Sequence, residues 1–469
     1  MRQSLKIAFA ALLTALPALT AAPHGDIVVS PNRHFLQYQD GTPFFWLGDT
    51  AWLLFTKLDR AQTETYLDDR ASKGFNVIQV MVINSPNMKS VYGVLALNNG
   101  DPGKPNVTPG NDLSKPGEYD YWDHVDWVVD QAAKRGIFVA LVPAWGSQVK
   151  SGALNLGNAA AYGTFLAKRY GPKPNIFWIV GGDIQGDNHE EVWNLLGSTL
   201  KAQDHHHLIT YHPIGRTQSS MWFQNASWLD FNMFQSGHRR YDQDTDSVHR
   251  YGEDNWRYAL ADWALKPTKP VLDGEPSYEN IPQGLHDGKQ PYWQAQDVRR
   301  YGYWSVFGGS CGHTYGDNAI MQFHRPGDGR GAFFVRNYWF EAIHDPGSGQ
   351  MQFLKKLMLS RPYFSRVPDE DVIAPPNGTR YDYVIATRGD GYIFAYTYTG
   401  KPFHVHMGVL SGAQLHGWWY SPSDGSSKDL GMVANSGEHT FTPPGTPEPG
   451  NDWVLVLDQP SKHFPAPGK

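Results

Sequence analysis

The sequence predicts an α/β protein, a (β/α)8 TIM barrel followed by a C-terminal antiparallel β-sandwich. Three observations carry this expectation. Short apolar, β-branched runs alternate with helix-length stretches about eight times up to residue 347. Beyond that point short strands take over, with turn residues about every 8–12 positions, as in a small sandwich. Nearly every strand of the first part also ends in a polar or aromatic residue, and in a barrel those ends converge on one rim.

Residues 1–22 read as a secretory leader. Arg2 and Lys6 precede the apolar run from Ile7 to Leu19, and Thr20-Ala21-Ala22 offers small residues for cleavage. The run is short and broken by Pro17, so it predicts a secreted or periplasmic protein and no membrane span. Phe44 to Thr50 is the first buried strand. A helix over 61–73 stops at Gly74, and Asn76 to Val82, apolar on both faces, is a second, parallel strand. The Gly-, Pro- and Asn-rich insert from Asn84 to Pro116 reads as a long loop, and such loops are more often functional than accidental. Helix 121–134, strand Ile137 to Val142, helix 158–170, strand Ile176 to Val180, helix 189–202 and strand Leu208 to His212 continue the pattern. Trp228 to Phe234 is the sixth strand and helix 254–265 follows. Val271-Leu272 is the seventh, ended by Gly274-Glu275-Pro276; helix 293–306 and the small-residue strand Ser310 to Tyr315 complete the set. A doubly wound open sheet is the rival, but no Gly-rich phosphate loop opens its first helix. The expected domains are a barrel over 23–350 and a sandwich over 351–469, the latter with strands near 381–386, 392–398, 404–409, 415–420 and 453–457.

Composition narrows the function. A formal net charge of -6 leaves no electrostatic footprint for nucleic acid. Aromatic content of 14%, with 17 Trp and 24 Tyr, exceeds what a core needs and suits a cleft for flat amphipathic ligands such as sugars. The single cysteine, Cys311, excludes an internal disulfide. The adjacent His205-His206-His207 cannot turn all its rings to one ion, and no metal site or cofactor is expected.

The strand ends supply the candidate residues: Asp49, Trp145, Asp183, His212, Gln235 with His238, Glu275, and His313 with Tyr315. Trp52, Trp145 and Tyr278 follow strand ends and are candidates for sugar contacts. The three histidines can donate to or accept from hydroxyls, although a buried structural histidine is the commoner fate. Asp183 and Glu275, at the ends of the fourth and seventh strands, stand across the barrel mouth. Glycoside hydrolysis needs such a pair, one carboxyl protonated to assist the leaving group and one ionised as nucleophile or base. A turn aspartate after Gly181-Gly182 is the bland alternative for Asp183. Asp187 reads as a solvated loop acid, Asp273 as a buried neighbour of Glu275 on the same face, and Glu279 as a surface residue.

Five blocks in order resemble glycoside hydrolase family 140, the apiosidase-like barrels. They are Trp46-Leu47-Gly48-Asp49-Thr50-Ala51-Trp52, Trp178 to Asp183, Asp230 to His238, Val271 to Pro276 and Cys311 to Gly316. The resemblance spans roughly residues 30–345, and the tail resembles the small collagen-binding-domain sandwich that accompanies these barrels. It implies a retaining enzyme acting on apiose-containing side chains of the pectin rhamnogalacturonan II. By motif, Asp183 matches the acid/base and Glu275 the nucleophile. Related barrels place Asn-Glu at the fourth strand end, where this chain has Gly182-Asp183. The rival expectations are a glycosidase of another glycan, a furanoside or hemicellulose, and a non-catalytic barrel that binds an oligo- or polysaccharide.

Overall fold

The computed structural model describes residues 24–244 and 251–469; the expected leader lies outside the described residues. The barrel strands are β1 Trp46–Thr50, β2 Val77–Met81, β3 Phe138–Val142, β4 Ile176–Ile184, β5 Ile209–Pro213, β6 Asn232–Gln235, β7 Val271–Asp273 and β8 Gly312–Tyr315. They belong to a nine-stranded sheet and lie in the order β5-β4-β3-β2-β1-β8-β7-β6, neighbours parallel. The remaining strand, Thr217–Gln218, pairs antiparallel with the end of β6 and takes the edge that would otherwise meet β5. The β5–β6 seam is closed instead by the Asp230 N–H on Ile209 O, 2.8 Å, and the Thr210 hydroxyl on Phe231 O, 2.7 Å.

The helices that alternate with these strands are α1 Arg60–Ser72, α2 Tyr121–Lys134, α3 Ala159–Tyr170, α4 Glu190–Gln203, α5 Ser220–Phe223, α6 Asn255–Trp263, α7 Ala295–Phe307 and α8 Pro346–Leu359, with further short helices in the loops. Reciprocal capping boxes start α1, through Asp59 and Gln62, and α2, through Asp120 and Asp123. Helices on the outside leave no wet face to the strands, so β2 and β3 are buried at every position. Alternate residues divide between two apolar layers. Val139 and Leu141 pack with the helices, whereas Phe138, Ala140 and Val142 pack in the barrel interior with Trp46, Phe177 and Met233. Below the barrel a three-stranded meander, Ile27–Val29, Leu36–Tyr38 and Pro43–Phe44, sets Phe44 against Phe138 and Phe177.

The C-terminal sandwich comprises β9 Val367–Pro368, β10 Ile385–Gly389, β11 Tyr392–Thr397, β12 Phe403–His406, β13 Gln414–Tyr420, β14 Ser427–Ala434, β15 Glu438–Phe441 and β16 Trp453–Asp458. A six-stranded antiparallel sheet, β9-β10-β11-β16-β13-β14, lies over the pair β12-β15. Residues of β11 point alternately two ways. Ile393 and Ala395 join the sandwich core with Val405, Leu415 and Leu455, while Phe394 and Tyr396 join the barrel-side layer. Against that second face lies α7: Tyr303 stacks on Tyr396 at 4.9 Å and Phe307 on Phe394 at 6.1 Å between ring centroids. Two bidentate pairs frame the contact, Arg299 on Asp452 at 3.0 and 2.7 Å and Arg361 on Asp458 at 2.9 and 2.7 Å.

Removing Arg299 would leave the Asp452 carboxylate buried and unpaired at this interface. Arg299→Ala should therefore lower stability by about 3–5 kcal/mol. Thermal unfolding of the full chain measures this, and a variant unfolding at the wild-type temperature would show that the pair contributes nothing.

Candidate active site

The strand ends surround a cleft of about 690 Å3. Its lining includes Asp183, Glu275, Trp52, Trp145, Gln235, His238 and Tyr278, so seven of the residues expected at the rim meet there.

Asp183 reaches the cleft through an irregular strand end. Gly181, Gly182 and Asp183 have φ of 95°, 125° and 50°, and the register with β5 breaks between Gly181 and Ile184. A Cβ on Gly181 would stand 2.6 Å from His212 O, and one on Gly182 2.3 Å from the Trp145 ring, so only glycine fits either position. The bulge turns the next side chain out of the ladder, and aspartate tolerates the left-handed conformation this requires.

Glu275 is placed by a strand that must stop. A Cβ on Gly274 would lie 2.4 Å from Met233 Sδ, and Pro276 prevents further ladder pairing. The carboxylate is 5% exposed and lies between two histidines, with His212 Nε2 2.9 Å from Oε2 and His238 Nε2 3.3 Å from Oε1. The His212 contact is close but off line for a hydrogen bond, so it acts as an ion pair. His212 Nδ1 donates to Pro213 O at 3.1 Å, which leaves Nε2 to carry a second proton toward the carboxylate. Burial alone would lower the His212 pKa, but Glu275 raises it above the ordinary range.

The two acids are driven apart. Burial would push the Glu275 carboxyl up, yet His212 and His238 overcome this and hold it below the ordinary glutamate range. Asp183 has solvent access in the cleft, but the surrounding walls desolvate it and the Glu275 charge opposes its ionisation; its pKa rises to about 6. Its hydrogen bond with Gln235 opposes that rise. One carboxyl is thus kept charged while the other keeps its proton to well above the ordinary aspartate range, up to about pH 6, the division that acid-assisted displacement needs.

Four of the expected ligand contacts are corrected. Asp49 is fully buried on the helix side of β1, where its Oδ2 accepts from Tyr66 Oη and Arg70 Nε, both at 2.6 Å. His313 is buried against α7, 3.0 Å from Ser305 Oγ, and desolvation lowers its pKa to about 3. Tyr315 donates to Glu279 Oε2 at 2.6 Å behind the rim. His212 touches Glu275 rather than the cleft, beneath Trp52 and Trp145, whose ring centroids lie 5.6 and 5.3 Å away. Glu279 is buried, not a surface residue, and the Asp273 carboxyl is tied to Ser236, Asn255 and the backbone of Glu275 on the helix side of β7. Asp187 is exposed. The long insert gives the cleft Asn84; beyond that it packs on α2, where Trp122 Nε1 donates to Ala96 O at 2.9 Å. Sequence reasoning missed Leu53, Met81, Arg216, Leu285, Met321 and Phe333 in the lining. Leu53 and Met81 look like core residues in sequence, Met321 ends a single-turn helix, Asn318–Met321, and the others lie on aperiodic loops; Gly215 beside Arg216, just past a strand, was the one available signal. Among the described residues no group of histidines, cysteines or acids could hold a metal, and no helix is long and apolar enough to cross a membrane.

A family model described as "Apiosidase-like, catalytic domain" matches residues 30–365, and one described as "Putative collagen-binding domain of a collagenase" matches 367–458. Among curated proteins no relative matches. Two solved structures are similar over nearly the whole chain. One, named "Glycoside hydrolase", is 47% identical with a TM-score of 0.89, the alignment covering 94% of this chain and 98% of that one. The other, a glycoside hydrolase family 5 structure from Bacteroides vulgatus ATCC 8482, is 45% identical with a TM-score of 0.89 over 94% and 95%. The first model spans most of the chain and takes in both cleft carboxylates, and the chain belongs to the apiosidase-like family of glycoside hydrolases.

Proposed function

We propose that the protein is a retaining apiosidase that releases apiose from side chains of rhamnogalacturonan II, acting outside the cytoplasm. The observation that carries the mechanism is the opposed ionisation of Asp183 and Glu275 in one cleft. The family membership supports the sugar. Glu275, already ionised, attacks the anomeric carbon while Asp183 gives its proton to the departing oxygen. Asp183, now a carboxylate, takes a proton from water, and the hydroxide equivalent displaces Glu275 to free the sugar. His212 and His238 keep the nucleophile charged between turnovers, and Trp52 and Trp145 offer ring faces to the sugar.

Glu275→Ala should abolish turnover of every substrate, because the nucleophile is needed whatever group departs. Asp183→Ala should cleave the natural glycan about 10²–10⁴ times more slowly. It should largely spare the first step on an activated aryl glycoside and regain the second step with azide. Equal losses on both substrates, without azide rescue, would make Asp183 structural.

The pH dependence follows from the same pair. Asp183 acts as an acid only when protonated, so kcat/KM on the natural glycan should fall as pH rises through about 6. Glu275 must be ionised and its pKa is depressed, so the acidic limb should lie below the usual glutamate range. In Asp183→Asn assayed on an aryl glycoside the alkaline limb should vanish. A limb that persists would belong to another group.

A further inference from the structure

The cleft lining divides by strand order. The ends of β4, β5 and β6 and the loops after them contribute Asp183, Arg216, Gln235, His238 and Arg239, with Ile214 their one bulky apolar side chain. The opposite arc is largely apolar beyond the nucleophile: Leu53 follows β1, Met81 ends β2, Ile281 and Leu285 follow β7 after Glu275 and Tyr278, and Met321 and Phe333 follow β8. Asn84, His286 and Gln322 are its other polar members, and Gln322 directs its amide to the loop itself. Leu53, Leu285 and Phe333 stand half-exposed toward the open cleft.

This arc is held in place at the expense of backbone strain. Leu285 has φ of 71° and Phe333 of 50°, a region that bulky residues rarely occupy. Hydrogen bonds over-determine both. The Gly284 N–H donates to His238 O at 2.7 Å and the Leu285 N–H to Pro282 O at 2.9 Å. Asn318 Nδ2 donates to Phe333 O at 2.9 Å, Gln322 Nε2 to Ala332 O at 3.1 Å, and the Ala332 N–H to Gln322 Oε1 at 2.6 Å. Strain maintained in this way at a site marks a side chain whose position is used.

A sugar ring offers hydroxyls all round, and seating them on Leu285 and Phe333 would leave them without partners. Trp52 and Trp145, elsewhere in the same lining, are the aromatic rings suited to its C–H faces. Branched and thioether side chains suit a group that has no hydroxyls. We propose that the apolar arc is an aglycone subsite, so that the substrates include glycosides of small apolar alcohols or phenols as well as sugar–sugar linkages. The proposal rests on Asp183 and Glu275 being the catalytic pair.

The test compares benzyl and methyl apiofuranosides, whose leaving alcohols have nearly equal acidity, so that a rate difference reports binding rather than bond strength. Wild-type enzyme should favour the benzyl glycoside by about tenfold or more in kcat/KM. Phe333→Gly and Leu285→Gly remove the apolar group at positions where glycine relieves the backbone, which offsets part of the packing lost, so both should remain folded. In each the benzyl-to-methyl ratio should fall toward one. A second arm reads the subsite without chemistry: benzyl alcohol, followed by calorimetry, should bind wild type saturably and both variants far more weakly. Equal rates for the two glycosides in wild type, or an unchanged ratio in both variants, overturns the proposal. If neither apioside is hydrolysed the apiosidase reading fails, and the benzyl alcohol arm alone decides the subsite: saturable binding lost in the variants supports it, and binding that is absent or unchanged by them refutes it.

Discussion

A carboxylate almost out of contact with water cannot stay ionised unaided, and Glu275 is such a group. Its charge is maintained because three successive strand ends arrive at one point: β5 brings His212, β6 brings His238, and β7 stops so that Glu275 falls between them. Each neighbour is itself held. Trp52 Nε1 donates to Tyr278 Oη at 3.2 Å, the His238 and Tyr278 rings meet edge-on at 4.6 Å, and Gln79 Nε2 donates to Gly274 O at 2.7 Å. The barrel acts as a frame that keeps a charge in a place where burial alone would neutralise it.

The second acid is defined by contrast with the first. Asp183 has no ion-pair partner of its own among the described residues; it has the field of Glu275, the closeness of the walls and the Gln235 amide. Its raised pKa therefore comes first from desolvation and next from the charge on Glu275. In the double displacement proposed above, Glu275 would lose its charge on forming the glycosyl bond, and Asp183 would then be freer to ionise. On that mechanism the carboxyl that begins as an acid would become a base at the step where a base is wanted.

Much of the fold was legible because its signals are local. The capping boxes fix where α1 and α2 begin, and the doubly apolar strands could only be parallel and covered. β14 escaped detection because it is an edge strand exposed along most of its length, with no alternation to read. The rim was legible in part. Position at a strand end does not say which face of the pleat a side chain takes. Asp49 pairs in register with Tyr315, and Asp273 with His313, so each pair shares a face, and in both it is the helix side. Asp273 and Glu275 have the same parity, but the strand ends between them and the rule no longer applies. The bulge at Gly181-Gly182 and the strained loop residues Leu285 and Phe333 depend on contacts far away in sequence, which no window along the chain can contain.

Helix α7 ordinarily would be the outer skin of the barrel, with one wet face. Here every residue from Val298 to Phe307 is buried, because the sheet of the C-terminal sandwich covers the side that solvent would have touched. A helix with no solvent-exposed face, its arginines included, is stable only between two partners. The sandwich therefore cannot be a module exchanged freely between enzymes: grafted onto a barrel whose seventh helix remained amphipathic it would meet charged side chains, and it could travel in evolution or in engineering only together with α7.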